Sequence, residues 1–384
     1  MIKKTLILLV CTVMAAYLGC KKPFNPESLQ RFKSALVVEG IINPSGTTNI
    51  YLTRSLDLDD KITVKAELKA VVQVLSEANT AITLAEKGNG LYSVPQLTLN
   101  STQKYRLKIK TVSGAEYISD PVSVKNTPVI DKLYWVRETG GVGIYVDAHD
   151  SQNNTRYYQW GFEEDWELRS VDESLYKATG IPGGKARIDS RDSKETPLMF
   201  TCYKTGRSSF INIFSTAALN SDLVSKHQVA FIPNNSEKLA VKYSILVRQS
   251  ALSFKAFEYL EMMKKNTEQR GSFFDTQPSE LIGNIRNLND PDDIAIGFIE
   301  IASVQEKRIF IQRDEVNPWG FQLSCSDVVV RNNPDSLVAY LSGQIIPRQP
   351  VLGVTGDITH WGGTTNNCMD CRTRGGNNNK PVFW

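Results

Sequence analysis

The chain has 384 residues, 41% of them hydrophobic and 22% charged. These are ordinary values for globular proteins and argue against extended disorder, collagen, coiled coil and a multi-span membrane protein. The formal net charge is +3, and Lys3 and Lys4 supply two of those charges. Nothing in that balance points to nucleic acid, whose backbone requires clustered positive charge.

Residues 1–19 have the three regions of a signal peptide. Met1-Ile2-Lys3-Lys4 is a short basic start, and Thr5 to Leu18 is an apolar run too short to cross about 30 Å of hydrocarbon as a helix. Leu18-Gly19-Cys20 resembles the bacterial lipobox, with Tyr17 standing where Leu is commonest. Cleavage before Cys20 would leave a lipidated cysteine, and several acyl chains (palmitate among them) hold a protein stably to a bilayer. Residues 20–33 then form a lipidated tether that begins Lys21-Lys22-Pro23. The expected location is the outer membrane, lipid-anchored. Two lysines stand where an acidic surface-export run would follow the cysteine, so the periplasmic face is preferred over the cell surface.

From residue 34 to 126 the pattern is β. Leu36 to Ile42 is rich in β-branched residues, and Ala70 to Leu75 and Tyr105 to Lys110 alternate apolar and polar side chains, the period of a half-buried strand. Gly88-Asn89-Gly90 and Ser113-Gly114 mark turns. Short strands at this spacing predict a sandwich of about seven strands. Asn126-Thr127-Pro128 reads as a linker into a second β domain over 127–384. Its strands include Ile130 to Val136, Gly143 to Asp147, Tyr157 to Phe162 and Lys242 to Val247. Its one helix is expected at about 251–268, where apolar residues recur at helical spacing, with Ser250 or Ser253 to cap it. Ile294 to Ile301 and Arg308 to Ile311 read as a final hairpin. The fold class is therefore mainly β: two β-sandwich-like (immunoglobulin- or fibronectin-like) domains, the second carrying one helix and a cysteine-containing C-terminal tail.

Catalytic patterns do not survive inspection. His149, His227 and His360 form no His-Glu-x-x-His, and no Gly-x-Ser-x-Gly elbow is present. Ser174-x-x-Lys177, Ser101-x-x-Lys104 and Lys204-Thr205-Gly206 match fragments of penicillin-recognising enzymes, but neither serine opens a helix. Asn289-Asp290-Pro291-Asp292-Asp293 lacks the glycine and distal glutamate of a calcium loop and reads as a solvated turn. Glu163-Glu164-Asp165 reads as a charged strand end rather than a glycosidase pair. Tyr158, Trp160, Phe162 and Trp166 share one parity of a strand. Such a row belongs in a sandwich core, the alternative being that Trp160 and Trp166 stack on a ligand such as a sugar ring. No enzyme activity, cofactor or metal is expected. Once Cys11 leaves with the signal and Cys20 is lipidated, Cys202, Cys325, Cys368 and Cys371 remain. Four cysteines in an oxidising compartment favour two disulfides with three connectivities open, over a zinc site built with His360.

Several strings in order resemble one family, the Bacteroidota lipoproteins called domain-of-unknown-function family 4249. They are Leu36-Val37-Val38-Glu39-Gly40, Tyr157-Tyr158-Gln159-Trp160, the run Lys242 to Gln249, Gly271 to Pro278, Gly283-Asn284-Ile285, and the ending Cys368-Met369-Asp370-Cys371 to Pro381-Val382-Phe383-Trp384. The resemblance implies an envelope lipoprotein with an immunoglobulin-like N-terminal region, and an association with a TonB-dependent outer-membrane transporter. It carries no catalytic residue. The expected function is accordingly a non-enzymatic accessory or binding component of the cell envelope, bound to the membrane through its lipid. The alternatives are a glycan-binding or carbohydrate-active module, and a structural outer-membrane assembly protein. The tail from Cys368 to Trp384 is expected to fold back on the second domain, because leaving Phe383 and Trp384 in water forfeits roughly 1.5–3 kcal/mol per large side chain. Its cysteines are expected to pair with Cys202 and Cys325.

Overall fold

The computed structural model describes residues 34–56, 64–268 and 281–384. The signal peptide (1–19), the tether with Cys20 (20–33) and the string Gly271 to Pro278 lie outside the described residues. The chain is mainly β.

In the N-terminal unit, alternation along each strand sends one set of side chains inward. Val38, Ile50, Leu52, Val72, Val74, Leu107 and Ile109 meet in one core. The strands Leu36–Ile42, Thr48–Arg54, Leu91–Val94, Ala81–Gly88, Val71–Ser76, Lys104–Lys110 and Glu116–Ser119 follow one another by hydrogen-bonded pairing and wrap that core.

The unit is not completed by residues 34–126 alone. Short strands Ala295–Ile296 and Glu300–Ile301 pair in parallel with Leu36–Ile42 at one edge, and Ile285–Asn287 pairs with Glu116–Ser119 at the other. Ile285, Ala295, Ile299 and Ile301 enter its core. The expected boundary at 126/127 therefore leaves out a returning segment, and the expected terminal hairpin does not form. The return depends on close backbone approach. A Cβ on Gly297, whose φ is +143°, would lie 2.2 Å from the Val38 carbonyl oxygen. Asn284 pairs like a backbone amide, donating to Ile299 O at 2.9 Å and accepting from Ile299 N at 2.8 Å. Within the expected linker Thr127 is buried and bonded: its amide donates to Ser303 Oγ at 2.8 Å, and its hydroxyl accepts from Ala251 N at 2.9 Å.

In the second unit, Thr201–Arg207, Tyr157–Arg169, Lys242–Ala251 and Val304–Gln312 form one antiparallel sheet in that order. A three-stranded sheet of Ile130–Glu138, Gly141–His149 and Leu223–Pro233 shares a core with it through Ile144, Val146, Ile232, Trp160, Ile245 and Val247. The helix spans Phe254–Glu268, starting later than expected because the preceding strand stays paired with Tyr158 through Ala251. Ser253 Oγ accepts from Ala256 N at 3.1 Å, and the Glu300 carboxylate accepts from Ser253 N at 2.5 Å. A third, smaller core was not expected. Ala186, Val330, Leu337, Tyr340 and Trp361 hold the hairpin Tyr176–Ile181/Lys185–Ser190 against a sheet of Asp327–Arg331, Ile358–Thr365 and Ile345–Leu352.

Candidate binding cleft beside the C-terminal staple

The strand Tyr157–Arg169 organises the second unit. On its even face Trp160 is 2% exposed, and its indole N–H donates to Gln249 Oε1 at 2.9 Å. Tyr158 and His227 cover its ring at centroid distances of 5.5 and 4.4 Å. Burial pushes the His227 imidazole down to about 4, so it is neutral at pH 7 with Nε2 2.7 Å from Asn212 Oδ1. Trp166 is 8% exposed, with Lys238 Nζ 5.4 Å and Lys204 Nζ 6.0 Å from its ring centre. Neither Trp160 nor Trp166 offers a free face: both lie in the core, and the alternative of ligand stacking on these two rings is corrected. Parity identified the shared face but could not say that another layer covers it.

The neighbouring carboxylates are spent on partners. Glu164 accepts from Lys238 Nζ and from the Tyr243 hydroxyl, the latter at 2.8 Å. Burial and the Glu164 charge push the Tyr243 hydroxyl well above its ordinary pKa. Burial opposes ionisation of Glu163, but the hydrogen bond and charge of Arg248 outweigh it and hold its carboxyl below the usual range. Asp165 accepts from Thr205 Oγ1 at 2.8 Å and lies 3.3 Å from Arg308. Lys204, of the Lys-Thr-Gly string, pairs with Glu237 at 2.6 Å. In the turn near residue 290, Asn287 Oδ1 accepts from the amides of Asn289 and Asp290, and Asp293 accepts from Tyr117 and Asn287. Among the described residues no group of three or more His, Cys, Asp or Glu side chains is placed to hold a metal ion.

Two disulfides organise the C-terminus: Cys202–Cys371 and Cys325–Cys368. All four cysteines are thus bridged, which replaces the zinc alternative, and His360 instead lies 3.1 Å from Thr359 Oγ1. Beyond Cys371 the tail crosses the sheet. Asn377 and Tyr203 exchange backbone hydrogen bonds at 2.7 and 3.0 Å, and Asn378 Nδ2 donates to Leu198 O at 2.7 Å. The Arg308 guanidinium sits 3.5 Å from the Phe383 ring centre and Lys242 Nζ 4.7 Å from that of Trp384. Glu167 accepts from the Trp384 indole at 3.4 Å. Two lysine- and arginine-capped rings on a sheet rather than in a core explain how an Asn- and Gly-rich tail keeps a fixed course.

A cleft of about 750 Å³ opens beside this staple. Leu168, Val171, Val241, Phe321 and Leu323 give it apolar walls, and Arg169, Arg313 and Arg374 give it positive charge. Its walls come from the end of the central strand, the turn before Lys242, the segment 312–323 and the tail. Leu168 stands opposite Cys202 in the sheet, and Arg374 follows Cys371 by one turn. Apolar residues mixed with three arginines and the Asp314 carboxylate, at this volume, fall within the range of small-ligand sites. Sequence reasoning had no signal for it, because its three arginines are scattered along the chain.

The family model described as a domain of unknown function (DUF4249) matches residues 21–308. The chain belongs to the DUF4249 family. The match takes in the N-terminal unit with its returning segment and most of the main sheet, ending within Val304–Gln312; three of the four bridged cysteines and Arg374 of this DUF4249 protein lie beyond it. A comparison with curated proteins finds no match. Among solved structures, chitinase ChiA74 from Bacillus thuringiensis is 13% identical with a TM-score of 0.15, over 53% of this chain and 30% of that one. That likeness is too slight to bear on fold or chemistry.

Proposed function

We propose that this DUF4249 protein is a non-enzymatic, lipid-anchored binding component of the outer membrane, facing the periplasm and working beside a TonB-dependent transporter. The cleft carries the binding part of this reading: it is concave, apolar-walled and edged by arginines, and the disulfide-bonded tail fixes one wall. Support for a non-enzymatic role comes from Glu163, Glu164 and Asp165, each held by its own cation. The address rests on the basic start, the short apolar run and Leu18-Gly19-Cys20. The transporter rests on the family resemblance. The covered rings of Trp160 and Trp166 take away the motive for a glycan platform.

Pull-down of the tagged, lipidated protein from gently solubilised membranes tests the reading. A transporter should be enriched over an unrelated lipoprotein control. Recovery of the lipoprotein alone would refute the partner assignment. Cys20→Ala should leave the protein unprocessed or released from the membrane, and cleavage at the same bond with full membrane retention would refute the anchor.

A further inference from the structure

We propose that the cleft beside the staple binds a small organic anion, a carboxylate joined to an apolar body, with the carboxylate on Arg313 and Arg374 and the body against Phe321 and Leu323. This deepens the binding reading above and rests on it.

Positive charge around the cleft is incompletely compensated. Arg169, Arg313, Arg374 and Lys204 stand at or behind the wall, against the carboxylates of Glu167, Glu237 and Asp314. Glu237 is divided between Lys204 at 2.6 Å and Arg374 at 3.7 Å, so it neutralises neither fully. Glu167 serves Arg169 and also accepts from the Trp384 indole. Arg313 makes no ion pair among the described residues and reaches only the Ala240 carbonyl, at 3.4 Å.

Arg374 is the decisive group. Its side chain is 10% exposed, yet it has one long ion pair, one hydrogen bond to Arg169 O at 2.6 Å, and an Nε with no partner. A guanidinium stays charged in proteins, and a buried charge is ordinarily matched by a close counter-charge and satisfied donors. Burial lowers the Arg374 pKa and Glu237 opposes it, consistent with an under-compensated cation. An anion in the cleft would supply the missing charge.

Size and walls decide which anion. About 750 Å³ is far more than a bare phosphate or chloride fills and lies within the roughly 300–1,000 Å³ of organic ligand pockets. The planar fork of an arginine matches a carboxylate in two parallel hydrogen bonds. The ligand chemistry that satisfies both walls is therefore an acid with an apolar body, whether a free amino-acid derivative or a peptide C-terminus.

Fluorescence titration of the full-length protein with dansyl-phenylalanine, and with its amide as the neutral twin, tests this. The acid should saturate with an affinity roughly tenfold above the amide. Arg313→Gln, at an exposed and unpaired site, should abolish that preference without moving the melting temperature. Arg374→Gln should also abolish that preference but should shift the melting temperature, because this side chain is buried and bonded to the Arg169 carbonyl, and Phe321→Ala should weaken acid and amide alike. Competition by acetylated peptides with free or amidated C-termini separates a peptide source from a small acid. Equal affinity for acid and amide, no saturation by about 1 mM, or full competition by inorganic phosphate alone would each overturn the assignment. A transporter recovered by a protein that binds no acid would refute the cleft ligand and leave the partner reading standing.

Discussion

The bridge between Cys202 and Cys371 joins the edge strand of the main sheet to the tail, and removing it should be costly. The pair Cys202→Ala and Cys371→Ala takes away the cross-link while keeping two small apolar side chains in a site where both cysteines are fully buried. The bridge closes 169 residues, for which loop-closure entropy alone corresponds to about 5 kcal/mol. Measured values usually fall to about 2–4 kcal/mol, because real unfolded chains keep structure. The tail gives back part of the rest: Gly376 lies against the bridge, where a Cβ would come 2.6 Å from Cys202 Cβ, so its packing loosens once the link is gone. For a unit of this size each kcal/mol moves the melting temperature by about 2–4 °C, giving an expected fall of about 4–16 °C. Thermal melts of oxidised wild type and the double variant, followed by intrinsic fluorescence, provide the measurement, with thiol titration to confirm that Cys325–Cys368 persists. The same variant should lose hydrogen-exchange protection at Tyr203 N and Asn377 N, which pair only while the tail is docked. A melting temperature within about 1 °C of wild type would refute the reasoning, since even the low end of the cross-link contribution exceeds that shift.

Trp160→Ala should cost about 3–5 kcal/mol and strand the Gln249 carbonyl; a variant that melts like wild type would show the ring is not core. Deleting residues 380–384 should lower stability by about 2–4 kcal/mol through lost apolar and cation–π contacts, with any partner retained in a pull-down. Loss of the partner with an unchanged melt would instead make the tail the docking peptide. Burial raises the Glu300 pKa, with the Ser253 amide and Lys125 opposing it. The folded state therefore holds this proton more tightly than the unfolded chain. That contribution is fully present below the unfolded carboxyl pKa of about 4.3 and is lost as pH rises through the folded value. Glu300→Gln keeps an acceptor for Ser253 N, so its stability relative to wild type should rise between pH 4 and pH 7; superimposable pH profiles in urea melts would contradict this.

Local sequence determined what local forces control. The β-branched run Leu36 to Ile42, the alternation along Ala70 to Leu75 and Tyr105 to Lys110, the turn glycines and the apolar spacing of the helix state the type of each element, because side-chain period follows directly from backbone geometry. The even cysteine count and the apolar end of the tail called for a stapled C-terminus. Tertiary structure decided everything that depends on which surfaces meet. Parity put Trp160 and Trp166 on one face, but only the packing of His227, Lys204 and Lys238 closed that face. Four cysteines left three pairings open until the tail's path brought Cys371 to Cys202. Residues 285–301 return to the first unit because Gly297 and Asn284 allow close contact with strands far away in the chain, a match no short window contains. The cleft is the extreme case: Arg169, Arg313 and Arg374 are ordinary surface-type residues in sequence, and only the fold brings them to one wall and buries one of them there.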